Sequence, residues 1–242
     1  MRDFEVNLEL GSPVSFGRLP YAPTLDSVLA SLASEGELLE GADAEGLYRE
    51  VRRCLSVPGG VPAASALWPA GAVCKSTHVH VRASSALALH PYRQSRTEKP
   101  IREFGGKWML KTSARTVVWS PWWRWWGNGD IDAVSEWLGR LHSVGSKRSC
   151  GFGMVASFSV RPISFPAWRA HEIGPLVLSR PVPDDCLDSW LGAIGRTRED
   201  IDWSRHAMVP LPRWPAPSWG PGPDIRTVVP LLRKPAAQER AS

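Results

Sequence analysis

The chain has 242 residues, 43% of them hydrophobic, which is enough for one large domain or two small ones around a sizeable buried core. Its 29 Lys and Arg against 24 Asp and Glu give a formal charge of +5. This balance favours an acidic partner, nucleic acid ahead of an anionic membrane surface. The cysteines, Cys54, Cys74, Cys150 and Cys186, are scattered with no CxxC spacing, which argues against a cysteine-built zinc site and suits a reducing compartment.

MRDFEVNLEL carries no apolar signal-peptide core, and no apolar run is long enough to cross a bilayer. The expectation is a soluble, cytoplasmic protein with no membrane partner. Phe4, Val6, Leu8 and Leu10 alternate and predict a first strand. In TLDSVLASLAS, Thr24 caps a helix with Leu25, Val28, Leu29 and Leu32 on one face. GLYREVRRCL predicts a second helix, with Leu47, Val51, Cys54 and Leu55 on its apolar side. PGGVPAASALWPAG, 58–71, reads as a loop of small residues, and VCKSTHVHVRA as a strand.

SSALALHPYRQSRTEKPIREF is polar and basic and predicts an exposed insertion at about 83–104, carrying Arg93, Arg96, Lys99 and Arg102. GKWMLKTSARTVVW predicts a strand or a bent strand pair. SPWWRWWGNGD ends in a turn signal at Gly127 to Gly129. Asp130 then caps a helix whose apolar face holds Ile131, Val134, Trp137, Leu138 and Leu141. GMVASFSVRP alternates as a strand, and DDCLDSWLGAIG predicts a short helix. From Ser204 onward prolines are frequent, and the expectation is an extended, irregular tail. The order matches an α+β, ferredoxin-like (RRM-like) βαββαβ domain over 1–162, with 163–242 as a C-terminal extension packed on it.

GSKRSCGFG, 145–153, leads from a helix into a strand. It is neither a P-loop, since Lys147 precedes Gly151, nor a GxGxxG cradle. Gly145, Gly151 and Gly153 permit positive φ and close backbone approach. Exposed N–H groups in such a loop form an anion-binding concavity, to which Lys147 and Arg148 add charge and Ser146 and Ser149 add hydroxyl donors. That suits the phosphates of a bent single strand. A glycine cap followed by a tight turn explains the same composition without a ligand. Lys107, Lys111 and Arg115 fall on one face of an extended segment, which suits phosphate contacts or simple solvation.

This loop resembles that of the CRISPR-associated RAMP superfamily, roughly G-x-G, five residues, then G-x-G. Gly145, Gly151 and Gly153 fit with SKRSC between, and Ser143 stands where the pattern has its first glycine. LDSVLASL, 25–32, and ASALWPAG, 64–71, resemble segments of the type IV effector subunit of the fifth Cas family. The resemblance implies a non-catalytic antiviral-defence subunit that grips the 5′ handle of the CRISPR RNA; no cofactor or metal is expected from the residues. Implied partners are a large subunit and a backbone subunit, with target nucleic acid reached through the assembly. The 83–104 insertion would be a thumb-like hairpin over the RNA.

Some relatives cleave CRISPR RNA with His, Lys or Tyr. A metal-independent endoribonuclease using His78, His80, Tyr92 or His142 is therefore the alternative, and a protein-interaction scaffold is a third reading. THVHV sets His78 and His80 on one strand face without an evident third metal ligand. The cluster Trp119, Trp122, Trp123, Trp125 and Trp126 around Arg124 predicts core or interface packing first and base stacking second. Asp130 and Asp132 fit helix capping better than metal binding.

Overall fold

The computed structural model describes residues 1–16, 22–37, 44–82, 111–146, 151–169, 176–212 and 224–230. They form a mixed α+β structure with antiparallel sheets and four α-helices among the described residues. β1 (Arg2–Leu10) is a central strand, because it has partners on both edges. Phe4, Val6, Leu8 and Leu10 point to one side and are buried, as the period of two requires. β5 (Trp122–Gly129) and β6 (Val155–Pro162) flank it, and β2 (Trp68–Ala70) pairs on the far side of β5. The order β2-β5-β1-β6 is antiparallel throughout.

Helices α1 (Leu25–Glu37), α2 (Ala44–Cys54) and α3 (Ile131–Leu138) share one core with the apolar side of β1 and β5. Leu25, Leu29, Val51, Val134 and Leu138 supply the helix side of that core, and Trp123 and Trp125 lie within it. Asp130 caps α3, its carboxylate accepting from the N–H groups of Asp132 and Ala133. Among the described residues no helix is long and apolar enough to cross a membrane.

WWRWWGNG, expected to end in a turn, is instead a paired strand through Gly129. Its glycines serve close approach. A Cβ on Gly127 would sit 2.5 Å from the Phe4 ring, and one on Gly129 would sit 1.9 Å from the Cys54 carbonyl oxygen. Burial pushes the Cys54 thiol up to about 11, so it stays a protonated core group.

Between β2 and β5 the chain leaves the sheet as a two-stranded ribbon, β3 (Cys74–Arg82) paired with β4 (Lys111–Trp119). A bridge between Val14 and Val118 ties its base to the segment after β1. The predicted insertion at 83–104 lies outside the described residues.

The C-terminal part contains β7 (Val182–Pro183), α4 (Asp184–Ala193), β8 (His206–Pro212) and β9 (Asp224–Pro230), with strand order β7-β9-β8. The proline-rich chain after Ser204 thus includes two strands paired over seven residues rather than only irregular structure. Pro210 and Pro212 are tolerated because β8 is an edge strand, where a missing N–H breaks no second ladder. Trp168, Leu178, Leu187, Trp190 and Val228 form a second apolar cluster, joined by Val61 and Ala63 from the strip after α2.

That strip is the seam between the two clusters. The Gly59 backbone lies so close to Ser189 and Trp190 that a Cβ would meet Ser189 at 2.6 Å. Ala66 N–H and Trp68 Nε1–H both donate to the Ser179 carbonyl. Arg180, only 4% exposed, donates to Asp26 Oδ2 at 3.0 Å and to the carbonyls of Pro62 and Ala64 at 2.6 and 3.3 Å.

His206 holds the C-terminal unit through both ring nitrogens. Nδ1–H donates to the Asp202 carbonyl at 2.7 Å, and Nε2 accepts from Leu178 N–H at 3.1 Å. Burial holds its pKa below the ordinary 6.5, against the pull of Asp202. The unfolded chain therefore binds the proton first, and stability falls as pH drops from 6.5 through the folded value. Thermal melts between pH 7 and 5 are expected to show a falling Tm, and His206→Gln should flatten that dependence. An equal slope in the variant would assign it elsewhere.

Candidate nucleic-acid interface

The glycine loop is built on a paired stem. After α3, Leu141 and Val144 turn into the core. Val144 N–H donates to the Gly153 carbonyl and Val155 N–H to the His142 carbonyl, closing the stem around a Ser143–Met154 bridge. The segment after β1 clamps the other side. Gly11 N–H donates to the Met154 carbonyl, Gly153 N–H to the Pro13 carbonyl, and Ser146 N–H and Oγ–H both to the Ser15 carbonyl.

Gly145, Gly151 and Gly153 have φ of 85°, 80° and 65°, where a side chain is strained. Two of them also meet neighbours. A Cβ on Gly145 would lie 2.7 Å from the Ser15 oxygen, and one on Gly153 would lie 2.0 Å from the Val144 oxygen. A Cβ on Gly151 meets nothing within 4 Å, and the residue is exposed. The clamped glycines thus fix the loop's ends, while Gly151 itself is open to another backbone.

The ribbon leans on this loop, with the His78 ring edge-on to Phe152 at 5.2 Å. His78 is exposed and Phe152 buried, so the histidine caps an apolar contact at the loop. Lys111 and Arg115 lie four residues apart in β4, opposite Arg82 and His78 in register, and His80 lies opposite Ser113. His142 is exposed beside the stem. Lys147, Arg148, Ser149, Arg93, Arg96, Lys107 and Tyr92 lie outside the described residues. Among the described residues no group of three or more His, Cys, Asp or Glu could hold a metal ion.

The Trp-rich stretch splits by strand alternation. Trp123 and Trp125 are core residues whose indole N–H groups donate to the Ser120 and Pro23 carbonyls. Trp119 and Trp122 are exposed. Trp126 and Arg124 turn to Glu5, a carboxylate only 4% exposed. Glu5 Oε1 accepts from Asn7 and twice from Arg161, at 3.0 and 2.7 Å, and Oε2 accepts from Trp126. Burial alone would raise the Glu5 pKa, but these donors and the Arg124 charge together hold it below the ordinary 4.5.

No protein-family model and no curated protein matches the chain.

The loop's atoms define what it does chemically. Its two ends are held by backbone hydrogen bonds at Ser146 and Gly153, which lowers the ordering cost of binding there. Such a loop favours an anion such as a phosphate. The Glu5–Arg161 cluster escaped the sequence reading, although Asp3, Glu5, Asn7 and Glu9 make the second side of β1 polar, a signal that this side is not apolar core.

Proposed function

We propose that the chain is a non-catalytic RNA-binding subunit of a type IV-like CRISPR ribonucleoprotein effector. It grips the 5′ handle of the CRISPR RNA and contacts large and backbone subunits. The observation that carries this reading is the loop between α3 and β6, whose end glycines are clamped and whose Gly151 is open. Lys147 and Arg148 follow directly on Ser146 in that loop. The order β2-β5-β1-β6, with three helices on one face, supports reading the first part as a ferredoxin-like unit. The ribbon β3–β4, with His78 against Phe152, supports a clasp closing over the same loop.

The test is a salt titration of binding to single-stranded repeat RNA. If Lys147 and Arg148 each neutralise one phosphate, alanine at both lowers the slope of log K against log salt by roughly 1.4. An unchanged slope removes them from the binding surface. Cleavage of the repeat RNA by the unmodified chain, persisting in EDTA, would instead favour the endoribonuclease alternative.

A further inference from the structure

Among the described residues, the face of the four-stranded sheet turned away from the helices is covered by the C-terminal unit at one end. There Trp168 Nε1–H donates to Asp3, and Trp126 packs against the second cluster. Among the described residues nothing covers the other end, where Glu9, Ser157 and Ser159 are exposed. Its rows follow from the register: Glu9 lies between Trp122 and Ser157, Asn7 between Arg124 and Ser159, and Glu5 between Trp126 and Arg161.

Each row presents different chemistry. Trp122, 46% exposed, offers an indole in the first. Beside it Glu9 is exposed and accepts a hydrogen bond from the Ser157 hydroxyl. The single buried carboxylate of Glu5 faces two guanidiniums, Arg161 at 2.7 Å and Arg124 at 3.7 Å. With Glu9 these rows carry two cations and two anions, the positive groups gathered at Arg124 and Arg161 and the exposed carboxylate beside Trp122. Both guanidiniums are held from beneath while their side chains remain 61% and 39% exposed. Trp122 and Arg124 stand two residues apart on the same face of β5, about 7 Å along the strand.

We infer that this open face is a second binding site, for single-stranded nucleic acid. A base stacks on Trp122, its exocyclic amino group donates to Glu9, and the adjoining phosphate meets Arg124 and Arg161. An aromatic face accepts any base, whereas a carboxylate accepts from an amino group and repels a carbonyl. The site therefore prefers cytosine to uracil. It stands on a different face from the glycine loop and does not depend on what that loop binds.

Fluorescence anisotropy of the full chain with labelled oligo(rC) and oligo(rU) tests this. The unmodified protein is expected to bind oligo(rC) more tightly. Trp122→Ala should weaken that binding by roughly 5- to 150-fold, the range set by losing one stacked base. Trp122→Phe should retain most of it, and Glu9→Gln should bring the two oligonucleotides towards equal affinity. Trp122 and Glu9 are exposed, so an unchanged melting temperature verifies that the variants fold. Equal binding of oligo(rC) by Trp122→Ala and the unmodified chain overturns the proposal. So does failure of the unmodified chain to bind either oligonucleotide, which would turn the face over to a protein partner. The chain with Lys147→Ala and Arg148→Ala separates the two sites. If it loses repeat RNA but keeps oligo(rC), both sites stand. If it loses oligo(rC) while Trp122→Ala does not, the strand lies on the loop and the open-face site falls.

Discussion

Arg180→Ala is expected to destabilise the protein by about 3–5 kcal/mol, the loss typical of removing one member of a buried ion pair. Asp26 is 0% exposed, and its Oδ2 accepts from Arg180. Truncation leaves that carboxylate desolvated without its counter-charge and also strips the Pro62 and Ala64 carbonyls of a donor. In a domain with a total stability of about 5–15 kcal/mol, a large share is lost at once. Arg180→Lys should not restore it, because one ammonium lacks the fork that reaches Asp26 and both carbonyls together. The double variant Asp26→Leu, Arg180→Met should recover most of the loss, since replacing a whole buried pair by apolar groups is often neutral. Urea unfolding midpoints measure all three. An Arg180→Ala midpoint equal to that of the unmodified chain would mean the pair contributes nothing.

Gly153→Ala and Gly151→Ala are expected to differ sharply although they sit two residues apart in one loop. Both glycines hold positive φ, which alone costs an L-residue about 1–2 kcal/mol. At Gly153 the new methyl also drives into the Val144 carbonyl, which belongs to the stem and has no free rotamer to yield. The combined loss is about 2–4 kcal/mol. The clamp to Pro13 should go with it, and with the clamp the RNA affinity proposed for the loop. At Gly151 nothing stands within 4 Å, so only the backbone strain applies. Paired denaturation curves decide this, and equal losses would show that Gly153 has no special steric role.

Much of the first part was legible because its signals are local. The alternation of Phe4, Val6, Leu8 and Leu10, the periodicities of α1 and α2, and the Asp130 cap each depend on a few neighbouring residues. β5 was not legible, for a physical reason. Gly127 and Gly129 read as turn residues from sequence, yet their missing side chains make room for the Phe4 ring and the Cys54 carbonyl, contacts that only the tertiary structure supplies. The paired strands after Ser204 were hidden likewise, since proline is compatible with a strand only at an edge, and edge position is decided by the sheet. In the site, the need for glycine at 145 and 153 was readable as a class. Which neighbour each glycine admits, Ser15 for one and Val144 for the other, came from a segment more than a hundred residues earlier and from the stem itself. The clustering of Glu5 with Arg161 depends on cross-strand register, which no local pattern records.

The seam also bears on how the chain is made. Asp26 and Arg180 are 154 positions apart, and at a synthesis rate of about 5–20 residues per second the carboxylate leaves the ribosome roughly 8–30 s before its guanidinium. Until then the first helix must keep that carboxylate hydrated, although β5 and β6, both earlier in the chain than Arg180, can already pair with β1. The four-stranded sheet can thus form before the ion pair that closes its seam with the C-terminal unit. A product that ends before residue 180 lacks the ion pair that joins the two clusters.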